Sequence, residues 1–86
     1  MTTQAAAETA EALVWRILRQ ELGLFENVRD PEVRLRQDLG ADSLDMLYVV
    51  MELEQACDAE IDDDTADRFA TVADLITWVK TARGEP

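Results

Sequence analysis

Histidine is absent from this chain of 86 residues, and cysteine occurs once, at Cys57. Without an imidazole, no serine or cysteine has the usual general base beside it, and no other nucleophile–base pair stands out, so an enzyme is not expected. A single cysteine excludes an intramolecular disulfide, and no Cys/His set offers a zinc site. A reducing cytoplasm fits that usage. No apolar run approaches membrane-spanning length, and the start of the chain lacks the basic residues and apolar core of a signal peptide. The expectation is a cytoplasmic protein with no membrane span. Internal repeats and low-complexity blocks are missing as well, and strand-like alternation is brief. A chain of this length folds as one domain with a modest core, burying about 60–65% of the surface its unfolded form exposes.

Lysine and arginine are missing from a whole block of the chain. Between Asp38 and Asp67 there are eleven acids and no base, whereas the remainder holds eight of each. The net charge of −11 therefore sits in 30 consecutive residues. Such a surface is a poor partner for nucleic acid or anionic lipid and a good one for proteins with basic patches, with association steered electrostatically and weakened by salt. Arg29, Arg34 and Arg36 alternate with Val33 and Leu35 and are read as the solvent side of a loop, too few for a nucleic-acid site. The acids also raise the question of calcium. An EF-hand loop starting at Asp58 needs glycine where Asp63 stands and glutamate where Phe69 stands, so no metal site is expected.

Apolar spacing predicts helices. From Glu8 to about Leu22, the residues Leu13, Val14, Ile17, Leu18 and Leu22 form one stripe, with Thr9 or Glu8 at its start, Gly23 as a stop and Trp15 at the core edge. The long connection from Gly23 to Asp42 is expected to be pinned by Leu24, Phe25, Val28, Val33, Leu35 and Leu39 folding back. A second helix runs from Ser43 to about Cys57, capped by Asp42 or Ser43. Met46, Val49, Val50, Leu53 and Cys57 are assigned to the core, and Leu44, Leu47, Tyr48 and Met51 to an exposed docking stripe. A helical turn around Asp63 to Arg68 follows, with Ile61, Ala66 and Phe69 inward. Thr71 caps a last helix from Val72 to about Thr81, with Val72, Leu75, Ile76 and Val79 inward and Trp78 beside them. The domain is expected to span 8–83, between a disordered start at 1–7 and a fraying tail at 84–86 that begins beside Arg83.

One short segment carries chemistry. Asp38-Leu39-Gly40-Ala41-Asp42-Ser43-Leu44 places a hydroxyl at the start of the second helix. The open backbone N–H groups and positive dipole end of a helix stabilise negative charge there, so the position suits a phosphodiester. Gly40-Ala41-Asp42-Ser43-Leu44, placed mid-chain in an acidic helical domain, resembles the phosphopantetheine attachment motif of acyl carrier proteins. The likeness extends from about Ala10 to Arg83 through the apolar spacing and the run Asp62-Asp63-Asp64.

That resemblance implies an all-α fold, the acyl-carrier-like four-helix bundle with three main helices, one short helix and a long first loop. It implies that a phosphopantetheinyl transferase attaches 4′-phosphopantetheine to Ser43 and that the arm carries acyl groups as thioesters between enzymes of fatty acid, specialised lipid or polyketide synthesis. Partner docking is implied for Asp42, Leu44, Asp45, Met51, Glu54, Asp63, Asp64 and Asp67, facing synthases and acyltransferases with basic patches, and the exposed stripe adds Tyr48. Leu53, Ile61, Ala66, Phe69 and Leu75 resemble the residues lining the acyl cavity. A monomer is expected. Asp42 departs from the glycine usual before the serine of peptide-synthetase carriers. Tyr48 and Gln55 stand where fatty acid carriers commonly have acids, and Cys57 stands where a larger aromatic is common, which suggests a specialised carrier. The competing reading is an unmodified acidic helical regulator that binds basic partners.

Overall fold

The computed structural model describes residues 8–85, so the expected disordered start at 1–7 and the final Pro86 lie outside the described residues. Among the described residues four helices follow one another: α1 (Ala10–Leu22), α2 (Ser43–Cys57), α3 (Asp63–Asp67) and α4 (Val72–Ala82). Each begins where a side chain takes up an orphan backbone donor. Thr9 Oγ1 accepts the Ala12 N–H at 3.0 Å ahead of α1. Asp62 Oδ1 accepts the Thr65 N–H at 2.8 Å ahead of α3, and that bond holds the Asp62 carboxyl below its ordinary 3.8. Thr71 and Asp74 form a reciprocal capping box ahead of α4. At the end of α1, Gly23 adopts φ 67° and its N–H reaches the Arg19 carbonyl at 2.9 Å, the stop that the sequence predicts.

α1 packs against both α2 and α4, and these two meet more lightly. The stripe residues Leu13, Val14, Ile17 and Leu18 of α1, Met46, Val49 and Leu53 of α2, and Val72, Leu75, Ile76 and Val79 of α4 are all buried. Trp15 goes further inside than the edge position expected of it, because Ala10 and Trp15 widen the buried face of α1. The short α3 contributes Ala66 only in part, while the flanking Ile61 and Phe69 are buried.

The long connection is pinned as its apolar residues predict, with one exception. Leu35 is fully buried, and Leu24, Val28, Val33 and Leu39 pack against the core. Phe25 is 80% exposed instead: its carbonyl closes a turn with the Val28 N–H at 3.1 Å, in which Leu24 and Val28 face the core and Phe25 does not. A feature that the sequence does not announce locks the connection to α4. Leu35 donates to the Ala70 carbonyl at 2.8 Å, and the Val33 and Pro31 carbonyls accept the Val72 and Ala73 N–H groups at 3.2 and 2.8 Å. Arg34 and Thr71 thus form an isolated antiparallel bridge that satisfies two orphan donors in the first turn of α4.

One further expectation is corrected. Cys57 is half-buried rather than a core residue, since α2 is ending there, and partial burial pushes its thiol up. After α4 the chain closes a turn: Gly84 takes φ 74°, and Glu85 N–H reaches the Lys80 carbonyl at 2.8 Å. Arg83 Nη1 donates to the Glu8 carbonyl at 2.8 Å, tying the two ends of the described chain together.

Candidate functional site

Ser43 is the first residue of α2, and a tight reversal delivers the chain to it. The Arg36 carbonyl accepts the Gly40 N–H at 3.1 Å and the Leu35 carbonyl accepts the Ala41 N–H at 3.0 Å. Gly40 sits at φ 72°, a left-handed conformation that a side chain would strain. Ala41 is then buried, which fixes the approach to the helix. Asp42, not Ser43, is the cap: its Oδ1 accepts the Asp45 N–H at 2.8 Å, while Asp45 Oδ2 accepts the Asp42 N–H at 3.1 Å. With the capping done by its neighbour, the Ser43 side chain is left exposed at the positive end of a 15-residue helix.

Ser43 also opens onto a groove of about 240 Å³ between α2 and α3. Met46, Leu47 and Val50 of α2 form one wall, Ile61 and Ala66 face them, and Arg36, Asp63 and Asp67 stand on the groove beside Ser43. A groove lined by both apolar and charged side chains suits a flexible chain with an apolar portion and an anionic root. On the outer side of α2, Leu44, Leu47, Tyr48 and Met51 are 56%, 52%, 47% and 44% exposed. The hydroxyl therefore lies between an apolar groove and an apolar outer stripe. No base is placed on Ser43: the two carboxylates nearest in sequence are bound to each other's backbone in the capping box. A phosphodiester fits this setting, with an exposed hydroxyl to carry it and one arginine on the same groove.

A family model described as the phosphopantetheine attachment site matches residues 12–79. The chain belongs to this family. As a member of the acyl carrier protein family, it shares the helical bundle, and the family carries 4′-phosphopantetheine as a covalent group.

Within this carrier, the residues singled out in the sequence fall into three groups. Ser43, Leu44, Tyr48 and Met51 on α2, with Asp63, Asp64 and Asp67 on α3, are exposed as a docking surface requires. Asp42 and Asp45 border the serine but are engaged in the cap, and Glu54 is engaged more deeply: its Oε2 accepts the Ile61 N–H at 2.8 Å in a partly buried bond. Glu54 therefore shapes the carrier's own α2–α3 loop, where Asp58 takes an uncommon φ of 50°. The cavity residues divide. Ile61 and Ala66 line the groove, whereas Leu53, Phe69 and Leu75 fill the core between α1, α2 and α4 and do not line it. In their place the groove wall is Met46, Leu47 and Val50, which the helical stripes distribute between core and docking face because the groove lies at the boundary of the two. Arg36 is the other residue that the sequence misses. Its alternation with Leu35 marks it as outward, but only the closed turn shows that outward means onto the groove that Ser43 also lines.

The charge pattern survives folding. Of the eleven acids from Asp38 to Asp67, Asp38 alone enters an ion pair among the described residues, with Arg34 at 3.2 Å, and hydrogen bonds from Arg34 hold its carboxyl below the ordinary 3.8. Among the described residues no three acids, cysteines or histidines are placed to hold a metal ion, and no helix is long and apolar enough to cross a membrane.

Proposed function

We propose that Ser43 carries the 4′-phosphopantetheine and that the protein is a cytoplasmic, monomeric acyl carrier serving fatty acid, specialised lipid or polyketide synthesis. The observation that carries the reading is the exposed Ser43 hydroxyl at the start of α2, released from capping by Asp42 and flanked by a groove and an apolar stripe. When bound, the group supplies a terminal thiol on a long tether, to which acyl chains attach as thioesters.

The chain's own residues hold and present, and they catalyse nothing. The Asp42–Asp45 box fixes the first turn of α2, so that the hydroxyl stands at a defined point for a phosphopantetheinyl transferase to modify. Leu44, Tyr48 and Met51 offer partners a desolvatable patch, while Asp63, Asp64 and Asp67 offer charges to the basic patches of synthases and acyltransferases. Exposed charges of this kind speed encounter more than they tighten the complex, which suits a carrier that must leave each enzyme. Tethering raises the local concentration of cargo at the docked enzyme without new contacts. The apolar Tyr48 and uncharged Gln55 on α2 favour a specialised carrier with its own partner enzymes.

Mass spectrometry after co-expression with a promiscuous phosphopantetheinyl transferase tests the attachment. One phosphopantetheine adds to the wild type and none to Ser43→Ala. An unmodified wild type points instead to an acidic regulator binding basic partners.

A further inference from the structure

Among the described residues, Arg36 is the only basic side chain lining the groove that opens at Ser43. Its place there is enforced by the backbone. The preceding residue, Leu35, is fully buried with its N–H on the Ala70 carbonyl, and the following turn doubles back through Gly40 onto α2. Arg36 is thus held on the groove by a closed turn of the backbone, and among the described residues no hydrogen bond or ion pair of its side chain is found. Its side chain is exposed and, among the described residues, forms no ion pair, although Asp63 and Asp67 line the same groove.

A phosphodiester on Ser43 enters an unfavourable field. Asp42 and Asp45 flank it in sequence, and Asp63 and Asp67 share its groove. Open amides in the first turn offset part of this, but a helix end acts only over one turn. We propose that Arg36 is a positioning residue for the phosphodiester at Ser43, pairing its forked guanidinium with the phosphate oxygens and holding the root of the arm toward the groove. The inference rests on Ser43 being the attachment point. Arginine suits the task because its planar fork binds two phosphate oxygens at once, which an ammonium cannot do. The pairing is exposed and therefore weak and salt-sensitive, so it biases the arm without trapping it.

The test uses wild type, Arg36→Gln and Arg36→Lys, each as the unmodified protein and as the protein loaded by a promiscuous transferase, with loading confirmed by mass. The phosphorus NMR resonance of the loaded wild type is expected to differ from that of Arg36→Gln and to move toward it as sodium chloride is raised, with Arg36→Lys between. The gain in Tm on loading is expected to be smaller in Arg36→Gln by about 2–4 °C, the shift a weak exposed charge pair gives in a domain this size. Loading with identical resonances and equal gains in all three proteins overturns the inference alone. So does a Tm change in Arg36→Gln that is the same before and after loading, which would place the partner of Arg36 within the protein. Failure of the wild type to load overturns the attachment reading and this inference together.

Discussion

Glu54 shows how a single carboxylate can look like surface and act as structure. It stands on α2 one turn beyond Val50, where an acid on an acidic helix suggests contact with partners, yet its oxygen closes the loop that carries the chain to α3. Removing it leaves the Ile61 N–H unsatisfied in a partly buried site, which costs about 1–2 kcal/mol. Urea denaturation of Glu54→Ala is expected to show that loss, whereas Asp67→Ala, which removes an exposed acid at the end of α3, is expected to change stability by less than about 0.5 kcal/mol. Equal stabilities for the two variants would mean that the Ile61 bond is dispensable. The same reasoning separates Asp42 from Ser43. Both suit a cap, but the aspartate takes the donor and the serine keeps its hydroxyl for other use.

At the scale of the helix, α2 divides into a face that holds the fold and a face that does not. Leu53→Ala removes a fully buried side chain and is expected to cost about 2–5 kcal/mol, while Tyr48→Ala and Met51→Ala, on the exposed stripe, are expected to leave the urea midpoint nearly unchanged. In pull-down or calorimetric binding to a cognate synthase the order should invert, with the stripe variants losing affinity. Stripe variants that bind like wild type would remove α2 as the docking element. The two faces were legible in the sequence because a 3.6-residue period separates Val49 and Leu53 from Tyr48 and Met51 without knowledge of the neighbours. The serine was legible for a related reason, since its turn, cap and helix are consecutive in the chain. What stayed hidden depends on contacts between distant segments. The clamp of Leu35 on Ala70, the outward Phe25, the aim of Arg36 and the division of the cavity residues between core and groove all follow from which element lies against which, and no local period encodes that.

The whole molecule concentrates its net charge on one stretch of its chain, and that sets its response to salt. At about 0.01 M ionic strength the screening length is near 30 Å, comparable with the 35 × 30 × 22 Å extents of the fold, so the acids of α2 and α3 repel one another throughout. At about 0.15 M it falls to ~8 Å, and only neighbouring carboxylates still interact. Tm is therefore expected to rise between these conditions, as differential scanning calorimetry can record, and a Tm independent of salt would contradict this account of the block.

The same asymmetry gives the protein an electric dipole, since 30 residues hold the whole net charge of −11 and the other 56 sum to zero. A basic partner exerts a torque on it before any surfaces touch. Screening confines that torque to the last nanometre or so of approach, where the molecule turns the acidic stretch forward. Ser43 lies within that stretch, so a partner drawn to the acids is drawn to the segment that bears the serine.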